Sequence, residues 1–136
     1  MRYERRGTRM LSVLVLSILA FNVWPRIALA KKQPKTYPEE AKVIGTSISQ
    51  SFKYVYRVET NTRIYELECD KLPRPGLSTY NPRECGGAKK IQIGDVIHFR
   101  SEKGWAYIPI TETDGIPGEQ RLRIHREELK PGAKAD

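Results

Sequence analysis

Apolar and polar side chains alternate one for one along two stretches of the chain. In Phe52-Lys53-Tyr54-Val55-Tyr56-Arg57-Val58-Glu59, the residues Phe52, Tyr54, Tyr56 and Val58 fall on one face, with Lys53, Arg57 and Glu59 on the other. In Arg63–Cys69, Tyr65, Leu67 and Cys69 share a face, and Glu66 and Glu68 lie between them. A period of two in aromatic and β-branched residues predicts half-buried strands. The polar break at Thr60-Asn61 predicts a hairpin, with Asn61 in the left-handed conformation. Upstream, Val43-Ile44 and Ile48 among Thr46, Ser47 and Ser49 predict a first strand from Lys42 onward.

Further along, Ile91-Gln92-Ile93 reads as strand and Gly94-Asp95 as a turn. Val96–Arg100 and Trp105–Ile110, flanking Ser101-Glu102-Lys103-Gly104, predict a second hairpin closed by a glycine bulge. Pro109 places that strand near an edge. A polar turn over 112–120 leads to a last short strand, Arg121–His125, then a helical turn over 126–130 and a disordered tail over 131–136. Residues 70–90 hold three prolines and three glycines in 21 positions and have no period. They predict a loop of a length that is often functional. About six short strands separated by turn signals predict an all-β fold, a small antiparallel barrel or sandwich. The Gly94–Ile110 hairpin resembles those of SH3-like and OB-like small barrels. That likeness of pattern implies class and size, and no functional residue.

The N-terminus adds a different element. Arg2, Arg5, Arg6 and Arg9 precede an apolar run, Met10–Phe21, and Ala28-Leu29-Ala30 precedes Lys31-Lys32. A basic region, an apolar core and a small-x-small site, in that order, predict a cleavable signal peptide over 1–30. The cut falls between Ala30 and Lys31. A spanning helix needs about 20 apolar residues, and Asn22, Pro25 and Arg26 interrupt this run. Gly7-Thr8-Arg9 after the arginine pair favours the general export route over the twin-arginine one. Residues 31–41, with two prolines and several charges, read as a flexible lead-in with one helical turn after Pro38. The single β domain is expected over 42–130, and the protein is expected in the periplasm or outside the cell.

Export changes how the cysteines and the charge are read. Cys69 and Cys85 allow one pairing, and an oxidising compartment favours it. By the chain-entropy account a loop of this size contributes roughly 3 kcal/mol. Metal ligation is disfavoured, because His98 and His125 match neither cysteine in a usual zinc spacing. Five of the 24 basic and one of the 16 acidic residues lie in the first thirty positions, which leaves 19 and 15 and a net charge of +4. A mild excess suits anionic wall polymers or lipid headgroups without requiring them.

No catalytic, cofactor or nucleotide motif stands out. No glycine elbow surrounds any serine, both cysteines are expected in the bridge, and His98 and His125 read as ordinary sheet residues. Glu66 and Glu68 should lie about 7 Å apart, on a solvated face. Cys85-Gly86-Gly87 precedes no helix and is not a phosphate loop. Aromatic and basic residues do interleave. Trp105 at a hairpin tip, with Lys103, Arg100 and Tyr107, is one expected binding surface, and Arg74, Tyr80 and Arg83 in the bridged loop are another. The expectation is a non-enzymatic binding or adaptor domain, whose partner is an envelope polymer or exported protein. Neither nucleic acid nor a cofactor is expected, and membrane contact is expected only through the signal peptide. The alternatives are an exported enzyme inhibitor using the 70–84 loop and a structural envelope component. Intact mass tests the export reading. The exported protein should begin at Lys31 and accept two alkyl groups only after reduction; a full-length mass or two free thiols would contradict it.

Overall fold

A computed structural model describes residues 33–76 and 80–135. The segment expected to be a signal peptide and its expected cleavage site, Ala28, Ala30 and Lys31, lie outside the described residues. The fold below is that of the unit running from Lys35.

Eight strands form: β1 (Glu39–Ile48), β2 (Tyr54–Glu59), β3 (Arg63–Cys69), β4 (Arg74–Pro75), β5 (Tyr80–Asn81), β6 (Val96–Glu102), β7 (Trp105–Thr111) and β8 (Pro117–Leu129). Six of them close an antiparallel barrel in the order β1-β2-β3-β8-β7-β6, while β4 and β5 pair as a separate ribbon. Two three-strand meanders are thus joined edge to edge, by β1 with β6 and by β3 with β8. Closure removes the free edges that an open sheet would present.

Alternation fills the interior. Ala41, Val43, Tyr56, Val58, Tyr65, Leu67, Cys69, Phe99, Ala106, Ile108 and Leu122 point inward and are buried. Tyr65 meets Phe99 edge to face at 5.4 Å. The long loop adds Cys85 and Ile91 to the same core. Ile91 is therefore a core residue in irregular backbone: the strand expected at 91–93 does not form.

Other local expectations are corrected by pairing. The segment after Pro38 is strand, not helix, because Glu39–Lys42 pair with Val96–Phe99. The last strand begins at Pro117 and runs to Leu129, replacing both the end of the polar turn and the helical turn expected at 126–130. Its first half pairs with β7 and its second with β3, so ladder bonds override local helix preference. Asn61 is not left-handed; the non-glycine residues with positive φ are Phe52 (55°) and Lys103 (49°) among the described residues. The Thr60 hydroxyl closes the β2–β3 turn instead, accepting from the Arg63 amide at 2.9 Å. At the β6–β7 turn Glu102 pairs directly with Trp105. Lys103 and Gly104 (φ 80°) are both left-handed, which is a two-residue primed turn rather than a bulge.

The loop is fastened where it rejoins the barrel. The sulfurs of Cys69 and Cys85 lie at bonding distance, with their Cα atoms 5.8 Å apart. The Cys85 amide donates to the Tyr56 hydroxyl at 3.0 Å, and burial pushes that phenol up to about 12. The Gly86 amide donates to Gln120 Oε1 at 2.7 Å and the Ala88 amide to the Thr111 carbonyl at 2.7 Å. A Cβ on Gly87 would stand 2.3 Å from that same carbonyl, so only glycine allows this approach. Tyr56→Phe strands the buried Cys85 amide without an acceptor. The expected cost is about 1–3 kcal/mol, read as a lower urea midpoint with an unchanged slope.

Candidate functional site

The expected binding residues separate into two groups with different electrostatics. Arg100, Trp105 and Tyr107 stand on the outer face of β6 and β7. The Arg100 guanidinium lies 4.0 Å above the Tyr107 ring, and that of Arg121 lies 4.3 Å above Trp105. Both cations are also ion-paired: Arg100 with Glu102 at 2.7 Å and Glu119 at 3.0 Å, and Arg121 with Asp70 at 2.8 Å. Each aromatic face is covered by a cation whose charge is already neutralised. Trp105 is half-buried, not the exposed ring at a hairpin tip, and Lys103 is exposed at the turn beside it.

Glu119 anchors this face. Its carboxylate accepts from the Tyr37 hydroxyl at 2.7 Å, from Lys35 at 3.0 Å and from Arg100 at 3.0 Å. Burial pulls its pKa up, but the hydrogen bonds from Tyr37, Lys35 and Arg100 outweigh it and hold the carboxyl below the ordinary value. Burial, then the Glu119 hydrogen bond and charge, move the Tyr37 phenol up. This arrangement fastens residues 35–37 to the barrel wall.

Arg74 and Arg83 belong to a second site. With Lys71, Lys90, Tyr54, Asn81, Pro82 and Glu84 they line a cleft of about 410 Å³ beneath the β4–β5 ribbon. Four cations face one carboxylate there. None of the four makes an ion pair among the described residues; the Lys90 ammonium donates to the Gly87 carbonyl at 2.9 Å. Burial pushes the Lys71 ammonium down, and the charges of Lys90, Arg83 and Arg74 push it further, against an opposing pull from Glu112. The ribbon places Arg74 opposite Asn81 in register, and the bridge at its base fixes both arms. Tyr80 does not line the cleft: its ring packs against Phe52, tilted by 43° with centroids 5.7 Å apart.

Sequence reasoning missed Lys71, Lys90 and Tyr54. A charge count confined to the loop would have found the lysines. Residues 70–90 hold five basic residues against Asp70 and Glu84, which is +3 of the +4 carried by residues 31–136.

A third feature corrects the reading of the carboxylate face. Glu68 is 8% exposed and Val55 6% exposed, although both point outward. They share with Glu66, His125 and the β1–β2 turn (Ser47–Ser51) a groove of about 510 Å³. The turn shields a face that alternation alone assigns to solvent. His125 is the extra residue of a bulge, since Leu67 pairs with Ile124 and Glu66 with Arg126. No hydrogen bond joins His125 to Glu66 or Glu68 among the described residues, and no three His, Cys, Asp or Glu side chains there converge as metal ligands. His98 lies 4.0 Å from Glu40 on the exposed surface.

Fold and site together define a closed antiparallel β-barrel with a bridged, cation-lined cleft. No protein-family model, curated protein or solved structure matches the chain.

The Glu119 arrangement makes stability pH-dependent. A carboxyl whose folded value is depressed stabilises above its ordinary value, and that contribution is lost as pH falls through the folded value. Glu119→Gln should cost about 1 kcal/mol near neutral pH, given the partial exposure of its partners. The difference from the native protein should shrink as pH drops below the ordinary glutamate value and through the lower folded one. Thermal denaturation across pH checks it, and a gap that stays constant into acid would refute it.

Proposed function

We propose that the chain is an exported, non-enzymatic binding domain that holds an anionic partner in the cleft of Lys71, Arg74, Arg83 and Lys90. The observation that carries this reading is the convergence of four cations on one concavity that holds a single carboxylate, Glu84, with no ion pair to any of the four among the described residues. Concentrating like charge is unfavourable in the free protein, and it adds to burial in pushing the Lys71 ammonium down. An anionic ligand relieves that repulsion on binding, so the cost becomes affinity. The bridge and the Tyr56 contact hold the cleft open in advance, which lowers the ordering cost of binding.

Export is supported by the N-terminal pattern and by a cysteine pair at bonding distance, which suits an oxidising compartment. The non-enzymatic reading is supported by the nature of the cleft, which contains no histidine and no thiol. The groove at His125 joins a histidine to carboxylates, but a catalytic relay needs a hydrogen bond to orient the base. An anionic group of the envelope is the chemistry that this cleft fits.

Titration of the exported protein with soluble polyphosphate tests the cleft. Affinity should fall by about tenfold or more as salt rises from about 0.05 to 0.5 M. Lys71→Gln and Arg74→Gln should each weaken binding several-fold, whereas Arg126→Gln, on the opposite meander's outer face, should not. Binding insensitive to the cleft substitutions would discard the assignment.

A further inference from the structure

The cleft does not stand alone at its end of the molecule. Three apolar side chains near it are open to solvent: Phe52 is 44% exposed, Tyr80 56% and Leu72 73%. None lines the cleft, yet each is tied to it. Leu72 follows Lys71, Tyr80 precedes Asn81, and Phe52 lies two residues before Tyr54. The tilted Phe52–Tyr80 contact at 5.7 Å joins the β1–β2 turn to the β4–β5 ribbon.

Phe52 is also held in an uncommon conformation. Its φ of 55° lies in the left-handed region, which bulky residues rarely adopt. The surrounding turn imposes it: the Phe52 amide donates to the Ser49 carbonyl at 3.0 Å, and the Ser49 amide to the Lys53 carbonyl at 2.8 Å. Alternation with Tyr54, Tyr56 and Val58 predicts Phe52 in the core face. The turn instead carries its ring to the surface and onto Tyr80. Backbone strain that persists at an exposed apolar residue is a reason to look for a role.

The layout discriminates between partners. Protein interfaces concentrate apolar groups centrally and charges at the rim. Here the concavity is cationic and the apolar groups stand outside it. A soluble phosphate polymer would satisfy the cations and leave Phe52, Tyr80 and Leu72 without a use. A bilayer surface offers phosphates and an apolar zone together, and aromatic rings favour that boundary.

We propose that this end of the barrel docks on an anionic phospholipid surface. Lys71, Arg74, Arg83 and Lys90 meet lipid phosphates, and Phe52, Tyr80 and Leu72 enter the boundary between headgroups and acyl chains. The inference rests on the anion-binding reading of the cleft and adds the source of the anion. It departs from the expectation that only the signal peptide touches a membrane.

Vesicle sedimentation with the exported protein, its N-terminus established by mass, separates the two ideas. The protein should bind phosphatidylglycerol–phosphatidylcholine vesicles and not pure phosphatidylcholine. Each cleft cation replaced by Gln should weaken vesicle binding about fivefold and weaken polyphosphate binding as well. The double variant Phe52→Ser/Tyr80→Ser should lose vesicle affinity about tenfold or more, with polyphosphate binding unchanged. A vesicle affinity unmoved by that double variant would overturn the proposal. Binding to polyphosphate without binding to vesicles would overturn it and leave the cleft assignment standing; binding to neither would remove both. Retention of an acidic exported protein through the same residues, without vesicle binding, would replace the bilayer with a protein partner. Should the double variant unfold, Phe52→Trp in a Trp105→Phe background reads the same contact. Its emission should shift to the blue on anionic vesicles, and an unchanged spectrum would overturn the proposal.

Discussion

Cys85 is where the long connection returns to the barrel, and two contacts hold it in place. One is the pairing with Cys69 at the end of β3; the other is the hydrogen bond from its amide to the Tyr56 hydroxyl at 3.0 Å. Tyr56 is nearly fully buried and belongs to the core formed by both meanders. Core packing, the bridge and the course of the loop are thus one mechanical unit. A buried amide with a single phenolic acceptor is costly to orphan, so the loop stem cannot drift without disturbing the core. The cleft inherits its rigidity from this junction, because Lys71 follows Cys69 by two residues and Arg83 precedes Cys85 by two.

The charges follow two regimes. On the outer face of β6, β7 and β8, cations are paired: Arg100 with Glu102 and Glu119, Arg121 with Asp70, Lys35 with Glu119. Surface pairs of this kind contribute little each, but the Glu119 hub binds an N-terminal segment to the barrel. In the cleft, four cations face one carboxylate, and burial together with the other three cations pushes the Lys71 ammonium down. Charge is thus neutralised on one face and concentrated on another, and the second is the face on which the proposed binding role rests.

Much of the fold was legible as periodicity. Strands β2 and β3 follow from alternation in Tyr54–Val58 and Tyr65–Cys69, because a closed barrel buries one face of each strand and wets the other, and β6 and β7 from the apolar runs that flank Lys103-Gly104. The expectation failed where a neighbouring strand or a long-range contact dominates. Glu39–Lys42 and Arg126–Leu129 are strand because β6 and β3 offer them ladder partners. Ile91 is core without being strand because the bridge draws it inward. Glu68 reads as a solvated carboxylate but is covered by the distant β1–β2 turn. Of the cleft residues, Arg74 and Arg83 were legible from the loop's composition, whereas Lys71, Lys90 and Tyr54 required the loop's folded course.

By itself the sequence determined the fold class, most strand positions, the single cysteine pairing and the excess of positive charge. Those properties depend on side-chain period, residue type and count, which are local or summed quantities. Tertiary structure decided which cations are neutralised and which are gathered into the cleft, and that Trp105 lies beneath Arg121 while Phe52 lies against Tyr80. It also decided the strand order that closes the barrel. These depend on distances between residues far apart in the chain, and Coulombic and packing energies respond to those distances rather than to sequence separation.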